Sequence, residues 1–239
     1  LIVILSFILS GLLFINYNMT RPTKLNKIIA NKYNASANKA FDDQKFYNCV
    51  VDAYNKENSK SVSYTTSLSD AQLKSIKSLS CSGKKIKSTK GIEKLTNLTE
   101  LGVIDNQLTT LDVSKNTALT WLNVRNNNIT TLDVSKNTAL TSLKVPKNNL
   151  TTLDVSKNTA LTYLDAWNNQ LTTLDVSKNT ALDELSAWNN QLTTLDVSKN
   201  TALTSLNVYG NNFQTLVLPK TKTLTSLNVS GNRLRSLDL

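Results

Sequence analysis

The stretch LTTLDVSKNTALTWLNVRNNN, Leu108 to Asn128, decides the fold, because the chain repeats it with a fixed period of 21 residues. Close copies begin at Ile129, Leu150, Leu171 and Leu192, and a looser copy begins at Phe213. A fixed period in this range is typical of a solenoid, whose units stack because none can bury its hydrophobic face alone. The sequence therefore predicts a repeat array as the main body of the protein.

Within each unit the hydrophobic residues follow the phrase LxxLxVxxNxL. After a first step of 22 residues every step is 21, and the phrase starts at Ile76, Leu98, Leu119, Leu140, Leu161, Leu182, Leu203 and Leu224. The alternation within this phrase predicts a short strand, so stacked units predict a parallel sheet with strands about 4.8 Å apart. The other half of the unit, TTLDVSKNTA, has no helical spacing and predicts short strands or turns on the opposite side.

One asparagine column falls where each strand must turn away from the sheet. An asparagine amide both donates and accepts hydrogen bonds, so it can satisfy the backbone groups that a buried turn leaves without partners. We predict a structural asparagine ladder here, not a catalytic or metal site, formed by Asn106, Asn127, Asn148, Asn169, Asn190, Asn211 and Asn232. We expect the same role on the far side for Asn116, Asn137, Asn158, Asn179 and Asn200.

The phrase resembles the leucine-rich repeat, LxxLxLxxNxL, from about residue 76 to the end of the chain. The nested phrase LTTLDVSKN resembles the 21-residue bacterial class, and with a helical segment in front the layout is similar to that of internalins, surface adhesins of Gram-positive bacteria. The resemblance implies a leucine-rich repeat solenoid with a curved parallel β-sheet on its concave face, short strands or turns on its convex face and a small α-helical N-terminal cap. Some internalin-like arrays carry cysteine in the sixth column of the phrase, which here reads Cys81, Val103, Val124, Val145, Ala166, Ala187, Val208 and Val229.

Three segments precede the array, which we assign to residues 76–239 with eight repeat starts. The apolar run 1–15 is shorter than the roughly 20 residues that a membrane span needs, and it fits a truncated signal peptide or membrane anchor. Residues 16–40 are polar without a hydrophobic period, as in a linker. Residues 41–75 predict a helical N-terminal cap that covers the open end of the first repeat.

Two helix signals support the cap. In FDDQKFYNCVVDAYNKEN the apolar residues recur at three- and four-residue steps, at Phe46, Cys49, Val50, Ala53 and Tyr54. Further on, Ser69 and Gln72 form the capping-box pattern that begins a second short helix, in which Leu73 and Ile76 face inward. The cap is thus expected to consist of two helices.

The two cysteines, Cys49 and Cys81, allow one disulfide or two free thiols. Because Cys81 stands in a column that otherwise holds only valine or alanine, we interpret it as a small buried side chain. A bridge to Cys49 is the alternative.

Composition and charge argue against several functions. The chain has no histidine, so it lacks the commonest general base and metal ligand. Most of its net charge of +10 lies in the N-terminal part, since residues 17–90 carry 14 basic and 5 acidic residues and residues 91–239 carry 13 and 12. We therefore expect no enzyme, no cofactor and no nucleic-acid partner. The basic segment is interpreted as a solubilising surface, with attraction to an anionic membrane or cell-wall polymer as the alternative.

An aspartate column also repeats with the period, and each member has a lysine three residues on. It comprises Asp112, Asp133, Asp154, Asp175 and Asp196. Because the pattern lacks the glycine turn and clustered carboxylates of a calcium loop, we interpret these residues as surface charge columns and expect no metal site.

The strand half of the repeat varies at its outward positions, and these carry the candidate binding site. All three tryptophans lie there, although the leucine, valine and alanine columns already fill the core. Exposed aromatic rings framed by charges are typical of a protein-binding hot spot. The candidate residues are Trp121, Arg125, Lys144, Lys147, Tyr163, Asp165, Trp167, Glu184, Trp188 and Tyr209. Stacking of the rings along the sheet, which would stiffen it, is the alternative.

The sequence thus favours a surface or secreted bacterial protein, adhesin-like, that binds a macromolecule through its concave face. A protein partner is favoured, a host surface protein included, and a glycan is the second choice. A structural spacer for a C-terminal module is the alternative from another class. Membrane contact is expected only through the N-terminal segment.

Overall fold

The structure, a computed structural model, describes residues 40–237. The predictions for residues 1–15 and 16–40 lie outside this part of the chain, apart from Ala40. No helix within the described part is long and apolar enough to cross a membrane.

Helix α1, Gln44–Asn58, begins the described fold. The side chain of its N-cap residue, Asp43, accepts hydrogen bonds from the backbone N–H groups of Lys45 and Phe46. This satisfies two of the donors that the first turn leaves free. One face of the helix is buried, as the three- and four-residue spacing predicts, and it carries Phe46, Tyr47, Cys49, Val50, Val51 and Tyr54.

Helix α2, Asp70–Ser75, is short and begins with the predicted capping box. The Ser69 hydroxyl accepts from the Gln72 backbone N–H, and the Gln72 side chain accepts from the Ser69 N–H at 2.8 Å. Leu73 and Ile76 are buried at its end. The capping box and the small helical N-terminal element are therefore confirmed.

Ten strands of three residues follow in chain order. They are β1 (Ser78–Ser80), β2 (Glu100–Gly102), β3 (Trp121–Asn123), β4 (Ser142–Lys144), β5 (Tyr163–Asp165), β6 (Glu184–Ser186), β7 (Thr194–Asp196), β8 (Ser205–Asn207), β9 (Thr215–Val217) and β10 (Ser226–Asn228). Eight of them form one parallel sheet in the order β1-β2-β3-β4-β5-β6-β8-β10. Equivalent residues of successive repeats lie opposite one another, as Leu122 does with Leu143. The parallel solenoid predicted from the repeat is confirmed.

The side opposite the large sheet contains turns and short extended segments. Strands β7 and β9 pair there in parallel, and one turn of 3-10 helix spans Ile92–Lys94. No α-helix follows α2 within residues 40–237. The predicted short strands and turns are therefore present on this side.

The core lies between these two sides and is filled by the leucine and valine columns. In one repeat, Leu119, Leu122, Val124 and Ile129 are all fully buried. Because the middle residue of each strand points inward, its two neighbours point to the other face of the sheet.

One asparagine side chain per repeat stabilises the turn by which the chain leaves the sheet. Asn127 Nδ2 donates to the backbone oxygens of Val124 and of Val103 in the preceding repeat, at 2.9 Å each. Its Oδ1 accepts from the Leu108 backbone N–H at 3.0 Å. Equivalent bonds occur around Asn148, Asn169, Asn190 and Asn211. One amide thus satisfies three backbone groups and joins adjacent repeats.

The second asparagine column uses only its donors. Asn137 Nδ2 donates to Val113 O at 3.0 Å and to Asn116 O at 2.9 Å, both in the preceding repeat. Its Oδ1 is buried without a hydrogen-bond partner, as are those of the equivalent residues. The two columns therefore differ, although their sequence spacing is the same.

A disulfide joins Cys49 of α1 to Cys81, just after β1, with their Cα atoms 5.8 Å apart. Our interpretation of Cys81 as only a small buried side chain was therefore wrong, although the residue is fully buried. The column position indicates burial but not which side chain lies against it, and here α1 brings Cys49 to that point. Closing a loop with a separation of 32 residues stabilises a fold by about 3 to 4 kcal/mol.

Substitution of one ladder asparagine tests how much the turns depend on it. Asn148→Ala leaves the Ile129 N–H without its partner and removes one of two asparagine donors from Val124 O and from Val145 O, which keep Asn127 and Asn169. Since an unsatisfied buried donor costs about 1 to 3 kcal/mol, we expect the free energy of unfolding to fall by about 2 kcal/mol in a denaturant titration. The neighbouring Asn149 is exposed, so Asn149→Ala, the matched control, should change it by less than about 0.5 kcal/mol. Equal effects of the two substitutions would contradict the assigned role.

Candidate functional site

The exposed face of the eight-stranded sheet, here called the sheet face, carries the variable positions of the repeat. In each repeat it consists of the first and third strand residues and of the residue two positions after the strand. In β3 and its continuation these are Trp121, Asn123 and Arg125. Because the strands pair in register, each such position forms a column across the sheet.

Two tryptophans of one column stack on each other. The rings of Trp167 and Trp188 have their centroids 4.4 Å apart and are inclined by only 8°. They follow β5 and β6, neighbouring strands of the sheet, so the strand spacing sets the ring spacing. Both side chains stay partly exposed.

Three cations lie over aromatic rings beside this pair. Arg125 Cζ is 5.5 Å and Lys147 Nζ is 5.4 Å from the ring centroid of Trp167. Lys144 Nζ is 4.6 Å from the ring centroid of Tyr163. Arg125 and Lys147 come from repeats before Trp167, and Trp188 comes from the repeat after it, so both ring faces of Trp167 are covered. Each such cation–ring contact is worth about 0.5 to 1 kcal/mol at an exposed site.

Asp165 is a half-buried carboxylate in the middle of these rings. Its Oδ2 accepts from Trp167 Nε1 at 3.2 Å, while Oδ1 is buried without a hydrogen bond of good geometry. Burial raises the pKa of Asp165 above its usual value, and the Ser186 hydroxyl, the Trp167 indole and the Lys144 ammonium offset part of that rise. The site thus holds an acid whose charged form is incompletely satisfied.

Seven of the ten predicted residues form one group, which we call the aromatic cluster. Its members are Arg125, Lys144, Lys147, Tyr163, Asp165, Trp167 and Trp188. Glu184 is exposed on β6 and acts on the cluster through its charge. Burial contributes most to the raised pKa of Tyr163, and the charges of Asp165 and Glu184 raise that pKa further.

The other two predicted aromatic residues contact neighbouring repeats in other places. Trp121 lies against β2, where a Cβ added at Gly102 would be 3.3 Å from its ring. Tyr209 leans toward the following repeat, because a Cβ added at Gly231 would be 3.1 Å from its Cε2 atom. The sheet face therefore has one cluster and two separate rings.

One column beside the cluster was missed in the sequence. The residue before each ladder asparagine has a positive φ of 51° to 66° from the second repeat onward, at Asp105, Asn126, Lys147, Asn168, Asn189, Gly210 and Gly231. Asparagine, aspartate and glycine tolerate this left-handed conformation best, so the run of these types was the available signal. Lys147 is the exception, and it is a member of the cluster.

The aspartate column forms local turns on the opposite side of the solenoid. Asp154 Oδ1 accepts from the Ser156 backbone N–H at 2.8 Å, and this bond lowers the pKa of Asp154. Its equivalents make the same bond two residues on. Within residues 40–237 no group of three or more histidine, cysteine, aspartate or glutamate residues could hold a metal ion.

The repeat relates the chain to known proteins. The family described as At1g61320/AtMIF1, LRR domain, matches residues 50–238. The functional domain of InlJ from Listeria monocytogenes, described as including a cysteine ladder, is similar with 39% identity and a TM-score of 0.71, covering 84% of this chain and 48% of that one. This chain therefore spans about half of that domain. No curated protein matches the sequence significantly.

Two more distant structures share the fold. Internalin C2 from Listeria monocytogenes is 22% identical with a TM-score of 0.56, covering 84% of this chain and 89% of its own. The leucine-rich repeat protein LIC12759 from Leptospira interrogans is 24% identical with the same TM-score of 0.56, covering 70% of this chain and 52% of its own. With only two cysteines, one pair bridged, this chain has no cysteine ladder of the kind named for InlJ.

Replacement of the buried acid tests the electrostatics of the cluster. Asp165→Asn keeps an oxygen for the Trp167 indole and removes the buried charge, so we expect the protein to become more stable at pH 7. Because the folded-state pKa of Asp165 is raised, the gain should be full above that pKa and disappear below the unfolded-state value of about 3.9. Thermal unfolding of both proteins across this pH range measures it. A gain that is the same at every pH would show that charge is not the cause.

Proposed function

The chain belongs to the leucine-rich repeat family in its internalin-like form, and on that premise we propose that it binds a protein partner through the sheet face, with the aromatic cluster at the centre of the contact. A rigid surface favours the binding of a protein partner, because its side chains lose little conformational freedom when the complex forms. The solenoid supplies such a surface, since each repeat is tied to the next by the asparagine ladder.

The observation that carries this proposal is the exposure of aromatic rings that the core does not need. The inward positions of the same two repeats hold buried leucines and alanines, whereas Trp167 and Trp188 remain partly open to solvent. Tryptophan, tyrosine and arginine are the residue types most enriched in binding hot spots, and all three occur in the cluster. A surface of this composition is suited to protein contact.

The stack itself supports the spacer alternative in part, because stacked rings also stiffen a sheet. It weakens the glycan alternative at one point. A pyranose ring stacks on an open aromatic face, and both faces of Trp167 are already covered, by Trp188 on one side and by Arg125 and Lys147 on the other. Only the face of Trp188 that is turned away from Trp167 would serve a sugar in this pair.

For its location, we propose that the protein is exported and acts at the cell surface or outside the cell. The Cys49–Cys81 disulfide supports this, because disulfides persist in oxidising compartments and are rare in the cytosol. The apolar run at residues 1–15 is consistent with an export signal or anchor. An adhesin-like role follows from the combination of surface location and protein binding.

The cluster proposal predicts that Trp167→Ser with Trp188→Ser lowers partner capture at least about tenfold, because hot-spot side chains at the centre of an interface carry most of the binding energy. The measurement is quantitative mass spectrometry of host membrane proteins retained by the immobilised protein. Tyr64→Ser removes another exposed aromatic residue, 47% exposed in the N-terminal cap, and serves as control. Capture that is unchanged in the double variant would instead favour the spacer.

The location proposal predicts that protease added to intact cells releases peptides of residues 91–239 without lysis. Peptides that contain Cys49 and Cys81 should be joined by the disulfide when the sample is alkylated before reduction. Mass spectrometry of the released and the retained fractions measures both. Recovery of these peptides only after lysis, with free thiols, would refute export.

A further inference from the structure

The aromatic cluster contains a pair of cations that form no ion pair with any carboxylate of residues 40–237. Arg125 and Lys147 lie 5.5 Å and 5.4 Å from the same ring centroid, that of Trp167, and both side chains are exposed. Building on the proposed function, we propose that this pair, which we call the cation pair, binds a carboxylate from an acidic segment of the protein partner. The inference names the chemistry of that partner.

The surrounding charges leave the cation pair free. The ion pair found within residues 40–237 joins Lys94 to Asp70, far from the cluster in sequence. Of the nearby acids, Asp165 accepts from the Trp167 indole and is paired in register with Lys144, and Asp105 accepts from the Asn126 side chain at 2.7 Å. Neither acid lies within ion-pair distance of the two cations.

Two like charges held against one ring repel each other, and the ring quadrupole offsets only part of that repulsion. A carboxylate that approaches the two cations can accept charge-assisted hydrogen bonds from them, which are stronger than neutral ones. The pair therefore offers an anion site that no acidic side chain of residues 40–237 occupies.

The backbone holds this arrangement in place. Lys147 has a φ of 53° in a column whose other members are aspartate, asparagine and glycine. A lysine in this conformation carries a local cost, and such outliers cluster at functional sites. The preceding residue, Pro146, is buried and stands between Arg125 and Trp167 in the same column, and its ring fixes its own φ. The cation pair thus projects from a surface whose backbone is conformationally restricted.

The same geometry favours a polypeptide over an acidic glycan. An acidic sugar would use a free ring face beside the cations, and the two faces of Trp167 are occupied. What the cation pair offers is two donors and the edge of the indole, which suit the small, flexible carboxylate of an aspartate or glutamate side chain. We therefore commit to an acidic protein segment.

The test uses fluorescently labelled poly-L-glutamate as the probe and fluorescence anisotropy at low salt as the readout. The wild-type protein should bind the probe, and Arg125→Gln with Lys147→Asn should weaken binding at least about tenfold, as expected for loss of paired charged contacts. The variant loses two cation–ring contacts, but asparagine fits the left-handed column better than lysine, so the thermal unfolding midpoint should stay close to that of the wild type. The matched control, Lys136→Gln with Lys157→Gln, removes two exposed lysines from the opposite side and should change binding by less than about twofold.

Three results would overturn the inference: no binding of the probe by the wild type, equal weakening in the control, or heparin binding that depends on the cation pair while poly-L-glutamate binding does not. The last result would assign the site to a sulfated glycan.

Capture by the Trp167→Ser, Trp188→Ser variant separates this inference from the proposed function. If the tryptophan variant loses capture while the charge variant keeps both capture and probe binding, the sheet face stands and the carboxylate site is wrong. If the charge variant alone loses probe binding and the tryptophan variant keeps capture, the carboxylate site stands and the two tryptophans are not the main contact with the partner.

Discussion

The whole solenoid depends on the hydrogen bonds of one buried asparagine per repeat. Where the chain turns away from the sheet inside the core, its backbone N–H and C=O groups cannot bond to water. The side-chain amide of Asn127, or of its equivalents, satisfies three of these groups at once. Because one of the three belongs to the preceding repeat, the same bond that closes a turn also fixes the distance between repeats. The leucine columns can then pack in register, and the parallel strands can pair.

This regularity is what makes a surface of varied residues useful. The sheet places equivalent positions of neighbouring repeats next to each other, so two tryptophans 21 residues apart in sequence become a stacked pair. The cations of earlier repeats reach the same ring, and Asp165 accepts from its indole. The cluster is therefore held by the scaffold before any partner arrives, which lowers the entropy lost on binding.

The N-terminal helices pack at the end of the solenoid, where the apolar core of the first repeat would otherwise be exposed to water. Helix α1 buries an apolar face against the first repeat, and the disulfide joins the two covalently. The aspartate column has a local structural role, since each carboxylate accepts a hydrogen bond from a backbone N–H of its own turn. Regular columns in this chain thus form the scaffold, and the functional proposals rest on positions that break the pattern, such as Lys147.

The sequence by itself determined the solenoid, its register, the helical N-terminal element and the outward positions of the tryptophans, because a repeat period and a hydrophobic alternation are local properties of the chain. It did not determine that Cys49 meets Cys81, because that contact depends on how a helix packs against a distant strand. Nor did it show that Trp167 stacks on Trp188 while Trp121 lies over Gly102, since rotamers follow from the space that neighbouring repeats leave. Only the tertiary structure decided which exposed residues form one cluster, because distances between side chains of different repeats exist only once the repeats are stacked.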